Sequence, residues 1–121
     1  MNSMNNAVQL IGNLGRPVKL HEMSNGRKMA FIKLATREVF HTREGGKRIE
    51  TTWHNVVAWD KVAETMHVLL KKGSTVVVQG KLRNRLKGEE GKKQLHTEVV
   101  VKEFRLMNHA TTAATDEVLA V

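Results

Sequence analysis

Between Thr52 and Trp59 the chain reads Thr-Trp-His-Asn-Val-Val-Ala-Trp, and this stretch limits the possible folds more than any other. In an extended strand successive side chains point to opposite faces. Trp53, Asn55, Val57 and Trp59 therefore share one face, and Thr52, His54, Val56 and Ala58 the other. Apolar or small residues fill the second face, so it suits a core. The first face puts two large rings where a soluble strand is ordinarily polar. These are the only tryptophans of a chain with three phenylalanines and no tyrosine.

The neighbouring segments read as further short strands. Ala7 to Leu14 is a first strand, broken by Gly15 and the sole proline, Pro17, and resumed over Val18 to His21. Ser24-Asn25-Gly26 is a turn signal, because Asn-Gly tolerates positive φ. Lys28 to Arg37 alternates Ala30, Ile32, Leu34 and Thr36 against Phe31, Lys33, Ala35 and Arg37. Phe40 to Lys47, with Gly45-Gly46, reads as a flexible loop. After the tryptophan strand, Asp60 is a candidate N-cap for a helix from Lys61 to about Lys71. Val62, Ala63, Met66, Leu69 and Leu70 supply its apolar stripe, and Gly73 its C-terminal cap.

Thr75 to Arg85 follows as a strand with Val76, Val78, Gly80 and Leu82 on one side. Val77, Gln79, Lys81, Arg83 and Arg85 lie on the other. Gly80 within a strand suggests a bend of the kind a barrel needs. Leu86 to Lys93 reads as a second loop, and Gln94 to Met107 as the last strand. The segment 108–121 is small and polar and is expected to be a disordered tail. The predicted fold is mainly all-β: a five-stranded OB-fold barrel over 1–107 with one α-helix between strands three and four. Composition by itself does not choose that barrel over another small α+β domain.

The charge points to a partner. Twenty Lys and Arg face twelve Asp and Glu, a formal net charge of +8. The positive charge is concentrated in 1–107, since 108–121 carries Asp116 and Glu117 but no Lys or Arg. Dense positive charge suits a polyanion through counterion release. With no cysteine, disulfides, thiolate nucleophiles and zinc–cysteine sites are excluded. No basic segment precedes an N-terminal apolar run, and nothing approaches the ~18 apolar residues of a membrane span. A cytoplasmic protein is expected.

Aromatic and cationic residues then fall on one outward surface. The second strand offers Phe31, Lys33 and Arg37, the third Trp53 and Trp59, and the fourth Lys81, Arg83 and Arg85. Phe40, Arg43, Lys47, Arg48, Lys87, Lys92 and Lys93 flank it on the loops. Rings stack bases of any sequence and cations follow the phosphates. Taken singly, each residue has a plainer reading. A Trp in a small domain is more often core, alternating Lys and Arg is usually a solvated or guarded strand, and Phe31 equally suits a subunit contact. Their coincidence on one face favours single-stranded nucleic acid.

Catalysis has little support. The six histidines have no carboxylate spacing that makes a metal site, and Ser3, Ser24 and Ser74 have no triad context. No phosphate-cradling Gly-rich loop opens the helix. No cofactor and no enzyme activity are expected.

The motifs Gly12-Asn13-Leu14-Gly15, Leu34-Ala35-Thr36, Thr52-Trp53-His54-Asn55-Val56-Val57, Lys61-Val62-Ala63-Glu64, Lys72-Gly73-Ser74, Gly80-Lys81-Leu82-Arg83 and Thr97-Glu98-Val99-Val100-Val101 occur in order along the chain. Together they resemble the bacterial single-stranded DNA-binding protein family. The resemblance implies an OB-fold domain that assembles as a homotetramer and wraps single-stranded DNA without sequence preference, in replication, recombination and repair. It implies that Trp53, Trp59 and Phe40 stack bases and that Lys61, Lys72, Arg83 and Arg85 contact the strand. His54 falls at a position of subunit contact.

Two departures qualify what the resemblance implies. Leu86-Lys87 stands where the family commonly has an aromatic, which leaves Lys87 as a phosphate contact. Thr115 to Val121 does not match the family's Gly/Pro/Gln-rich linker and acidic Ile-Pro-Phe tip, so recruitment of replication and repair proteins is not implied. An OB-fold adaptor acting mainly through protein contacts, or an RNA-binding OB domain, stands as the alternative.

Overall fold

A computed structural model describes residues 4–107, all of them within the predicted domain. The expected tail, 108–121, lies outside the described residues. The strands are β1 (Val8–Leu14), β2 (Lys19–Glu22), β3 (Lys28–His41), β4 (Lys47–Trp59), β5 (Thr75–Lys87) and β6 (Gln94–Met107), with helix α1 (Asp60–Leu69) between β4 and β5. One sheet runs β1-β5-β6-β4-β3-β2, and a β1–β3 pairing closes it. β1 meets β3 at Asn13↔Ala35 and Leu14↔Leu34, and β2 meets it from Lys19↔Phe31 to Glu22↔Lys28. The two are halves of one strand interrupted around Pro17, as the sequence suggests. The result is a closed five-stranded barrel.

Its core is the inward face read from the alternation: Ala30, Ile32, Leu34, Val56 and Ala58, joined by Leu14, Val76, Val78, Val99 and Val101. α1 contributes Ala63 and Met66, both fully buried, and so plugs one end of the barrel. The sheet shifts register at Gln79/Gly80, where Gln79 pairs with Glu103 and Gly80 with Val101. A Cβ on Gly80 would lie 2.0 Å from the Val100 carbonyl oxygen, so the bend expected there requires glycine. One partner residue is skipped. β6 therefore changes face across the bulge, with Val99 and Val101 facing the core on one side and Phe104 and Leu106 on the other.

Several local expectations are corrected. The strands run further than expected, β3 and β4 pairing as far as His41↔Lys47 and β5 and β6 as far as Lys87↔Gln94, so that 42–46 and 88–93 are what remains of the two predicted loops. Each pair projects as a two-stranded arm closed by a short turn, because turn chemistry at Gly45-Gly46 and Gly88 needs only a few residues. Leu82 pairs with Val99 but is 47% exposed, since β5 has no β1 partner beyond Gly80. Asp60 does not cap α1. Trp59 occupies the cap position without a side-chain bond, Asp60 takes φ +51, and its carboxylate turns to Arg27 and Lys28. α1 also stops at Leu69, short of Lys71, and Gly73 (φ +89) shapes the following turn.

Candidate nucleic-acid interface

The β3–β4 register builds one row of side chains. Phe31 lies opposite Val57, Lys33 opposite Asn55, Ala35 opposite Trp53 and Arg37 opposite Thr51. Antiparallel partners share a face, so both rings and cations stand on the outer side of the barrel, as the alternation predicts. Trp53 is 57% exposed. The edge of its ring rests on the Gly15 corner, where a Cβ would lie 2.5 Å from the ring. Gly15, Arg16, Lys33 and Trp53 line a cleft of about 240 Å³. The Lys33 ammonium donates to the Asn55 side-chain oxygen, which holds it beside the ring. Backbone bonds from Leu14 to Ser74 (3.0 Å) and from Gly73 to Leu14 (2.9 Å) bring the turn carrying Lys72 alongside this corner.

Trp59 lies at the other end of the row, opposite Met29. One face of its ring is already occupied: the Arg27 guanidinium carbon lies 4.5 Å from the ring centroid. Arg27 is held there by Asp60, to which its Nε and a terminal N–H donate at 3.1 and 2.9 Å, while the Lys28 backbone N–H donates to the second carboxylate oxygen. The Arg27 hydrogen bond, and then that of Lys28, hold the Asp60 carboxyl below the usual carboxylate value. The Lys28 ammonium meets Glu64 at 3.1 Å, and this carboxylate raises its pKa above the ordinary lysine value. Lys61 is exposed at the start of α1.

Other predicted residues are distributed differently. Phe40 is 41% exposed on the β3–β4 arm with Arg48 5.8 Å from its ring, but register puts it on the face opposite Trp53. On the β5–β6 arm Lys81 is exposed and Arg85 half-buried, and the Lys87 ammonium lies 5.3 Å from the Phe31 ring. Arg83 is not a free cation. It donates at 2.8 Å to Glu98, its cross-strand neighbour, whose side chain is 4% exposed, and its Nε is buried without a partner. His54 faces inward, its Nε2 2.8 Å from the Thr36 hydroxyl. Sequence reasoning missed Arg16 and Arg27. Gly15 beside Pro17 signals only a strand break, and nothing local connects residue 27 to residue 59. Among the described residues no cluster of three or more His, Asp or Glu could hold a metal ion, and no helix is long and apolar enough to cross a membrane.

A model of the single-strand binding protein family matches residues 5–107. The chain belongs to that family. Among family relatives it is 36% identical over 104 residues to single-stranded DNA-binding protein 1 of Xylella fastidiosa (strain 9a5c), covering 84% of this chain and 76% of the relative. To single-stranded DNA-binding protein 1 of Chlorobaculum tepidum it is 35% identical, over 84% of this chain and 64% of that one. Among solved structures, the Plasmodium falciparum SSB in complex with ssDNA superposes with a TM-score of 0.76 at 27% identity, over 89% of this chain and all of that one. The single-stranded DNA-binding protein of Thermus aquaticus gives 0.75 at 26% identity over 87% of this chain, which spans about half (51%) of its length. The family resemblance and the OB barrel read from the sequence are both borne out.

Proposed function

We propose that this chain binds single-stranded DNA without sequence preference and acts by binding alone, covering exposed strand during replication, recombination and repair. The observation that carries the reading is Trp53. A large ring is left 57% exposed beside Lys33 and Arg16, on the face where the β3–β4 register also sets Arg37. Leaving such a ring in water is unfavourable unless something planar covers it, and the cations beside it suit a phosphate chain. Family membership and the likeness to a structure holding ssDNA support the same reading.

In this mechanism bases stack on Trp53, while Lys33, Arg37, Lys72, Lys81, Arg85 and Lys87 neutralise the backbone. Trp59, Phe40, Lys61 and Arg83 contribute less directly, the first because Arg27 shares its ring and the last because Glu98 shares its charge. The proposal extends to assembly as a homotetramer, supported by family membership, with His54 near a subunit contact.

Titration of the intrinsic tryptophan fluorescence with poly(dT) at low and high salt tests the reading. Quenching that weakens as salt rises is expected. With ~6 phosphates neutralised per subunit, log affinity falls against log salt with a slope of about −4. Unchanged fluorescence with no bound complex in a gel-shift assay overturns it. Sedimentation equilibrium tests assembly: a fourfold subunit mass is expected, and a monomer mass refutes that part.

A further inference from the structure

Phe31 has no role in the mechanism so far, and its surroundings are unusual for an aromatic residue. It sits on β3 in the same outward row as Trp53, with Lys33 two residues along. On its β2 side the register puts Lys19 directly opposite, on the same face. From the β5–β6 arm the Lys87 ammonium reaches within 5.3 Å of the ring centroid. Lys19, Lys33 and Lys87 come from three different strands, and among the described residues none of them is in an ion pair. One ring therefore has Lys87 over it and Lys19 and Lys33 as neighbours on the same face, none of the three ion-paired to a carboxylate.

Two occupants could cover such a ring, a second copy of the chain or a polyanion. A twofold contact apposes a patch to itself, so copies meeting here would bring like charges together, which is costly. A strand of nucleic acid meets no such penalty. The spacing also suits it. Phe31 and Ala35, the neighbour of Trp53, are four residues apart, about 13 Å along the strand, with Lys33 midway between them on the same face.

We propose that Phe31 is a further base-stacking site, flanked by Lys19 and Lys87 as phosphate contacts, which seats the single strand beyond the base on Trp53. When a base takes the Phe31 face, the Lys87 ammonium moves from the ring to the adjoining phosphate. This inference rests on the single-stranded DNA reading above.

Anisotropy titrations of labelled oligo(dT) with Phe31→Leu, Phe31→Tyr, Lys87→Ala and Trp53→Ala test it. Leucine keeps the apolar packing without a π-face, so Phe31→Leu should lower affinity about 5- to 150-fold with an unchanged salt slope, the effect of ~1–3 kcal/mol of stacking. Phe31→Tyr should bind within about twofold of the original chain, since it keeps the ring that stacking requires. Lys87→Ala should flatten the slope by about 0.7, the share of one phosphate on a single strand. Original-like binding by Phe31→Leu, while Trp53→Ala is weakened, overturns this inference alone. A loss by Phe31→Leu that accompanies a change of sedimentation mass makes Phe31 a subunit contact and also overturns it. If the unaltered chain fails to bind oligo(dT), the underlying reading fails and this one with it.

Discussion

The Arg27 guanidinium carbon sits over the indole of Trp59, 4.5 Å from its centroid, and Asp60, the residue next to that tryptophan, holds it there through two hydrogen bonds. The two tryptophans, alike in the sequence, are thereby made unequal. Trp53 offers an open ring, whereas Trp59 offers a half-buried ring already paired with a cation. Trp53→Ala should weaken oligo(dT) binding by ~1–3 kcal/mol, and Trp59→Ala by less than half as much. Anisotropy titrations of the two variants check this, and a larger loss at Trp59 would refute the inequality.

The same contact gives stability a dependence on acid. The Asp60 carboxyl is held below its ordinary value in the folded chain, chiefly by Arg27. A depressed carboxylate stabilises the fold above its unfolded value, about 3.9, and that contribution is lost as pH falls through the folded value. Asp60→Asn should therefore lower the urea midpoint at pH 7, and the gap to the original chain should narrow at pH 3. The effect is small because both partners are half exposed. A gap that is equal at the two pH values would remove Asp60 as its source.

Much of this was legible in the sequence, and the rest was not for definable reasons. The period-two patterns of Lys28–Arg37 and Thr52–Trp59 identified the core face correctly at Ala30, Ile32, Leu34, Val56 and Ala58, because burial follows alternation directly. Gly80 marked the bulge because a backbone crossing permits no Cβ there. Asp60 was misread as a cap because the competing partner, Arg27, is 33 residues away. The strands of the two arms were read too short because glycine and charge near a turn hide strand ends when cross-strand partners are unknown. Arg83 looked like a free outward cation for the same reason: only the β5–β6 register makes Glu98 its neighbour.

That pair separates two basic residues of one strand. Glu98 is almost completely buried, and Arg83 is its ionic partner at 2.8 Å. Removing one member of a buried pair leaves a desolvated charge behind, at ~3–5 kcal/mol when both are buried. Because Arg83 is itself partly exposed, Arg83→Ala should cost about 2–3 kcal/mol of stability. Arg85→Ala, which breaks no such pair, should change stability little and flatten the salt dependence of DNA binding instead. Adding Glu98→Gln to Arg83→Ala should recover part of the loss. Urea denaturation of the single and double variants measures each term, and equal stabilities for the two arginine variants would dissociate Arg83 from Glu98.

Two glycines of the first strand region should respond differently to the same added methyl. A Cβ at Gly12 would lie 2.1 Å from the Ala35 carbonyl oxygen, where β1 crosses β3 to close the barrel. Neither backbone can give way there without opening the closure, so Gly12→Ala should destabilise the fold by ~3 kcal/mol or more, at the large end for a point substitution. At Gly15 the methyl meets only the edge of the Trp53 ring, at 2.5 Å. That ring is over half exposed and can swing away, so Gly15→Ala should leave the urea midpoint nearly unchanged. It should nevertheless displace the stacking ring from Lys33 and Arg16, weakening oligo(dT) binding and shifting the tryptophan emission. The pair of measurements, denaturation and titration, should thus give opposite rankings for the two variants. If Gly15→Ala is the more destabilising of the two, Trp53 is a packed structural residue and its place in the binding face is wrong.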